Sequence, residues 1–324
     1  MKQRIVGFDI ARVFSMLYII SVYHIIGYTS ILYHNSLVLA LVNSSLGTFT
    51  FLSSFLITGR YNFNDKSNIL YYYKKRVIRI YPLFFVTSIV LFLMGFNDFP
   101  RTIKGLLGIS PLWGPHPRTM WYIAMLLLFY LVTPLLARGK LLTKNITYIV
   151  INIVFALLSV VFYHINPATF YYFAIYYIGA ILGSYSYEKV INVLKSTKSI
   201  SVSIFAIILL LVNVYVDNNI YRFFSGLCGV FMILNTSFIL GDKFSKNHNR
   251  IITIIGLVSY ASMCAYLFHR EIYEIMLKMY HPDNPYMVIL YLFFIGVPII
   301  LFLSYYIQKL YDSLVNKYEK SLFK

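Results

Sequence analysis

The chain is poor in charge, and poorest in negative charge: of 324 residues, 11 are Asp or Glu and 28 are Lys or Arg, and charged residues make up 12%. Soluble domains carry roughly 25% charged residues, so a soluble globular protein is excluded. Cysteine is scarce as well. Cys228 and Cys264 fall far apart inside apolar runs, lack metal-ligand spacing and read as small core residues, so neither a disulfide framework nor a thiolate metal site is expected. Polar sequence is also in short supply. No segment is long enough to make a separate soluble domain, which leaves residues 1–324 as one membrane-embedded unit.

What fills the chain is apolar: 59% hydrophobic residues, with 31 Tyr and 27 Phe. Hydrophobic runs lie at about 7–29, 36–59, 80–96, 119–137, 146–163, 168–185, 200–216, 221–240, 252–275 and 286–308. The expected fold class is therefore an all-α polytopic integral membrane protein with about ten transmembrane helices. With the N-terminus in the cytoplasm, the cytoplasmic segments hold 21 Lys and Arg and the outer ones 6. That bias follows the positive-inside rule and puts both termini in the cytoplasm. The net charge of +17 thus reads as topogenic, and no nucleic-acid partner is expected. Lys2 and Arg4 imitate the start of a signal peptide, but the run behind them is too long and no small-residue cleavage site follows, so the first span is expected to be retained.

That first span, Gly7 to Tyr28, carries Asp9, Arg12 and His24. An arginine at mid-span costs about 2.5–3.5 kcal/mol on insertion scales and marks a functional site by default. The plain alternative is an Asp9–Arg12 pair snorkelling to the headgroups. His24, about 18 Å further along the helix, does not share that explanation.

Elsewhere the signals are weaker. Asn43, Ser44, Ser45, Ser53 and Ser54 form a polar stripe on the second span that faces either a cavity or a tightly packed neighbour. The densest charge is in the segment read as the next cytoplasmic loop, where Lys74, Lys75, Arg76 and Arg79 precede Tyr81-Pro82. These residues either anchor the topology on anionic lipid or, with Arg76 and Arg79 on one helical face, grip phosphates bidentately. The outer loop 97–118 is rich in Pro and Gly and includes His116; His164 reads as a solvated edge residue. Ser259, Tyr260, Ser262 and Tyr266 lead to His269-Arg270-Glu271, which reads as an interfacial helix end. Pro82, Pro134 and Pro298 are candidate helix breaks.

FDIAR…H, FLSSFLI, KKRVIRIYPLFF, WYIAMLLLFYLVTPLL and SYASMCAYLFH occur in this order along the chain. Together they resemble the membrane-bound acyltransferase-3 family, with Arg-x-x-Arg-x-Tyr-Pro as the most specific element. The resemblance implies a membrane O-acyltransferase in a bacterial cytoplasmic membrane, moving acetyl from cytoplasmic acetyl-CoA to a surface or exported glycan or a lipid-linked saccharide. Besides membrane lipids and that acceptor it names no partner, and it predicts no metal; oligomeric state is not legible. The family's Arg-x10-His pair corresponds to Arg12 and His24, its Arg-x2-Arg pair, a coenzyme A contact, to Arg76 and Arg79, and its Ser-Gly-Phe to Ser53, Ser54 and Phe55. In this scheme His24 is the general base or the acyl carrier, Arg12 steadies the oxyanion and Asp9 orients Arg12.

The sequence departs from the family pattern in three places. Eleven residues, not ten, separate Arg12 from His24, and twelve positions leave two side chains about 120° apart where eleven leave about 20°. A π-bulge absorbs one residue, so one is predicted between them, near Ser21. Ser54 replaces glycine, which loosens close helix approach. In the late motif, Ser-Tyr-x-x-Tyr-Leu-x-His matches without a gap only if Ser262 and Met263 take its first two places. The competing class is a polytopic secondary transporter or glycan flippase, though no two-half symmetry of the transporter kind is visible.

Overall fold

A chain in hydrocarbon must satisfy its backbone internally, and helices do so segment by segment. The computed structural model describes residues 5–29, 31, 33–164, 166–185, 187–247 and 249–322, and every regular element among the described residues is helical. In chain order these are α1 (Val6–Thr29), α2 (Ser36–Thr58), α3 (Lys66–Leu93), α4 (Phe99–Leu106), α5 (Trp121–Ala137), α6 (Leu141–Val161), α7 (Pro167–Gly183), α8 (Tyr187–Lys195), α9 (Thr197–Val212), α10 (Asn219–Asn247), α11 (Asn249–Met279) and α12 (Pro285–Lys317). Lys2 and Arg4 lie outside the described residues.

Each apolar run of the sequence falls on a helix, but the runs are not equal. Among the described residues 7 helices are long and apolar enough to cross a bilayer, or up to 8 if the bent pair α8 and α9 forms one span. Helices α5 and α7 have 17 residues each, at the lower limit for spanning.

The basic segment before the third run is not the loop expected from its charge. From Lys66 onward it is helix: Asp65 caps it by accepting from the Ser67 N–H at 3.0 Å. The helix continues through Lys74, Arg76, Arg79 and Pro82 to Leu93. Basic residues are good helix formers, so charge alone does not end an element. The candidate breaks do not interrupt the spans either. Pro82 and Pro134 sit inside continuous helices, and Pro298 follows a π-helical turn at Leu292–Gly296 within α12.

The helices divide into two compact units, one of residues 1–49 with 188–324 and one of residues 50–187. In the first, α1 packs against α10 and α11, α9 against α10, and α12 against α11. Its core joins Met16, Ile20 and Ile25 of α1 to Ala265 and Tyr273 of α11 and to Leu292 and Ile300 of α12. Between helices in lipid the attraction is close packing rather than water exclusion, so small residues matter. At Gly296 a Cβ would stand 2.8 Å from Cε1 of Tyr273, and the bare backbone makes room for that ring.

In the second unit Tyr72, Phe84, Phe129, Phe173 and Tyr176 are fully buried. The polar stripe of α2 meets a tight neighbour here. A Cβ on Gly179 of α7 would lie 2.2 Å from Ser54 Oγ and 2.6 Å from the Phe51 carbonyl oxygen. The glycine absent from position 54 is thus matched by one on the facing helix, and the close approach expected to loosen is kept. Ser54 spends its hydroxyl locally, donating to the Phe51 carbonyl at 3.1 Å.

Candidate active site

Asp9 stands in the first turn of α1, where a carboxylate is favoured by the helix dipole. It is 9% exposed. Its Oδ1 accepts from Ser259 Oγ at 2.7 Å and lies 4.0 Å from Arg12 Nη1. Ser259 on α11 therefore fixes the carboxylate that accompanies Arg12. Arg12 itself is half-buried.

Between Arg12 and His24 the backbone makes the predicted π-helical turn, at Tyr18–Tyr23, with Ser21 inside it. The His24 N–H reaches the Ile19 carbonyl, five residues back. Absorbing one residue this way returns the twelve-position spacing to about 20° from alignment. Where five-residue spacing reverts to four, one carbonyl is passed over. Tyr273 of α11 donates its hydroxyl to the carbonyl of Ile20 at 3.0 Å, so a side chain from the next helix satisfies the turn. Ser21 adds a bond from its hydroxyl to the Leu17 carbonyl at 2.5 Å.

His24 is buried, and its Nδ1 faces Nε2 of His269 within hydrogen-bonding contact. The two rings lie 28° from parallel with centroids 4.5 Å apart. His269 is 0% exposed, and its Nδ1 lies 2.8 Å from the Tyr266 carbonyl oxygen on its own helix. The sequence reading of His269 as a wet helix-end anchor is overturned: α11 continues ten residues further, to Met279, and carries the imidazole into the interior. Arg270 beside it sets its guanidinium 5.0 Å over the Tyr28 ring.

The remaining candidates lie in the second unit. Arg76 is half-buried, its guanidinium 6.0 Å from the Tyr72 ring and 5.9 Å from the Tyr130 ring. Its Nε is buried without a hydrogen-bond partner. Arg79, one turn on, is exposed. Ser53 is half-buried on α2, beside the fully buried Ser54. Pairing against aromatic faces holds Arg76 in one orientation, while Arg79 keeps a free fork for an anion. His116 and His164 also meet there, Nε2 to Nε2 at 2.9 Å, so His164, read from the sequence as a solvated edge residue, is half-buried against a second imidazole. Among the described residues no group of three or more His, Cys, Asp or Glu has a metal-ligating arrangement.

Ionisable side chains inside apolar spans are costly and mark functional sites. A buried imidazole pair shared by α1 and α11, with a serine-held carboxylate in the first turn of the same α1, makes these two helices the candidate acid–base site of a polytopic helical protein. The sequence matches the acyltransferase-3 family, described as "Acyltransferase domain", over residues 5–308. The chain belongs to that family and is a multi-pass membrane acyltransferase, an enzyme that transfers acyl groups; a transporter is not favoured. No curated protein and no solved structure matches the chain.

Proposed function

We propose that the enzyme moves an acetyl group from cytoplasmic acetyl-CoA to a hydroxyl of a surface or exported glycan. It would work in a bacterial cytoplasmic membrane with about ten spans and both termini inside. The observation that carries the chemistry is the burial of His24 against His269. An imidazole is the side chain suited to take and return a proton near neutral pH. His24 removes the proton from the acceptor hydroxyl as its oxygen attacks the thioester carbonyl. The tetrahedral intermediate then expels the coenzyme A thiolate, which takes the proton back from His24, giving the acetyl ester and free thiol. Arg12, steadied by Asp9 and about 18 Å along α1 from His24, offers its charge to the donor and orients it towards His24. Arg76 and Arg79 contact the phosphates of the donor, and Ser53 adds a hydroxyl to the donor site. The choice of acetyl and of a glycan acceptor rests on the family resemblance.

The test is the acetyl-ester content of the host's surface glycan with the wild-type protein, with His24→Ala and with the gene deleted. Esters that appear only with the wild type support this reading. Acetylation indifferent to His24, with a change in the amount of exported glycan, would overturn it.

A further inference from the structure

From the hydrogen-bond chain behind His24, we infer that His269 is a positioning residue that fixes the tautomer of His24 and so assigns the proton-accepting nitrogen to its Nε2. The inference deepens the reading of His24 as general base and rests on it for its catalytic consequence. It starts from an atom whose role cannot vary. The Tyr266 carbonyl oxygen only accepts hydrogen bonds, so Nδ1 of His269, 2.8 Å away, must carry the proton and donate. A neutral imidazole has one N–H and one lone pair. The Nε2 of His269 is then the lone pair, and it faces Nδ1 of His24. For that contact to be a hydrogen bond, Nδ1 of His24 must be the N–H. The lone pair of His24 is left on Nε2.

The chain runs in one direction: His24 Nδ1–H to His269 Nε2, and His269 Nδ1–H to the Tyr266 carbonyl. It matters because an imidazole held in the wrong tautomer presents an N–H where the reaction needs a base. Two features keep the chain from reversing. His269 is 0% exposed, so water does not compete for its nitrogens, and its carbonyl partner is three residues back on the same helix. On the other side, the π-helical turn ends at His24 and is braced by Tyr273 donating to the Ile20 carbonyl. When His24 takes up the acceptor's proton on Nε2, its imidazolium keeps donating from Nδ1 to the same lone pair. No second proton has to move.

The experiment uses full-length protein in lipid nanodiscs with 15N-labelled histidine, the His24 signals being assigned by difference from His24→Ala. The expected wild-type spectrum near neutral pH shows His24 protonated at Nδ1 and bare at Nε2. A wild-type His24 protonated at Nε2 overturns the inference without any variant having to fold. His269→Leu, which removes the acceptor, should release His24 into the other tautomer and lower kcat by about 10² or more, with KM for acyl-CoA nearly unchanged. His269→Gln, which supplies an amide oxygen near the lost Nε2, should restore the tautomer and most of the rate. Equal losses in Leu and Gln variants with the tautomer unchanged would reduce His269 to packing and overturn the inference. Full transfer by His24→Ala would instead remove the general-base reading, with the wild-type spectrum still deciding the tautomer.

Discussion

Each unit of the molecule holds a pair of facing histidines, and the pairs are built differently. In the first unit His24 and His269 sit on α1 and α11, deep in the apolar core, and a backbone carbonyl dictates which nitrogen carries which proton. In the second, His116 and His164 lie on connecting segments outside the helices, both half-buried. Asn166, oriented by accepting from the Ala168 N–H at 3.0 Å, donates its amide to His116 Nε2 at 2.8 Å. His116 therefore carries its proton on Nδ1, which is buried without a partner. One pair ends in an acceptor that holds its polarity; the other ends in an unsatisfied donor. What separates the two pairs is where the chain of protons ends: on a buried carbonyl in the first, and on a buried N–H with no acceptor in the second, which leaves that pair a pH-sensitive contact.

The largest effect expected from breaking this comparison is on chemistry. His24→Ala should lower acyl transfer by on the order of 10³-fold or more, judged by what general acid–base groups contribute, while His116→Ala stays within about twofold of wild type. Glycan acetylation in cells expressing each variant at matched abundance measures both. Equal losses would remove the distinction.

The arginines of the second unit sharpen the contrast between held and free groups. Arg79 is exposed, so Arg79→Ala should raise KM for acyl-CoA about tenfold, the loss of one charged hydrogen bond, without altering the melting temperature. Arg76, pressed between Tyr72 and Tyr130, should show both a raised KM and a lower melting temperature when changed to Ala. Steady-state kinetics beside a thermal melt separates the two.

The glycines differ in what surrounds them. Gly179→Ala meets the Phe51 carbonyl oxygen at 2.6 Å as well as Ser54 Oγ; backbone cannot step aside, and a cost of about 1–3 kcal/mol follows. Adding Ser54→Gly should recover only part of it. Gly296→Ala meets chiefly a side-chain ring, Tyr273, at 2.8 Å, and should cost less, about 0.5–1.5 kcal/mol. Denaturation of the three proteins in one detergent orders them.

The smallest effect concerns pH. Burial, and then the neighbouring His164, hold His116 down to about 4 from its ordinary 6.5. The folded protein thus prefers this imidazole neutral. Its contribution to stability is full above about 6.5, falls as pH drops toward about 4, and is gone below that. His116→Gln should flatten the melting temperature between those limits; an unchanged slope would place the titration elsewhere.

Much of this was legible in the sequence, for identifiable reasons. The helical class follows from apolar runs that only helices can carry across lipid. The π-helical turn followed from counting against the family's Arg-x10-His pattern: eleven residues between Arg12 and His24, where the resemblance implies ten, do not keep both side chains on one face of a regular helix. The partner of His24 was not legible, because His269 is 245 positions away and its own neighbours, Arg270 and Glu271, made the end of α11 look wet. Nor was Gly179 opposite Ser54, since a small residue reveals its role only when its neighbour is known. The start of α3 was misplaced because a run of lysine and arginine resembles a loop in composition while being good helix in propensity.

The central claim is that His24, buried against His269, drives acyl transfer. Its most direct test is the release of free coenzyme A from acetyl-CoA by purified protein in liposomes supplied with host glycan and no ion gradient. Wild type should turn over and deposit one acetyl ester per thiol released, while His24→Ala at equal abundance should do neither. Equal thiol release and ester formation by the two proteins would contradict the account.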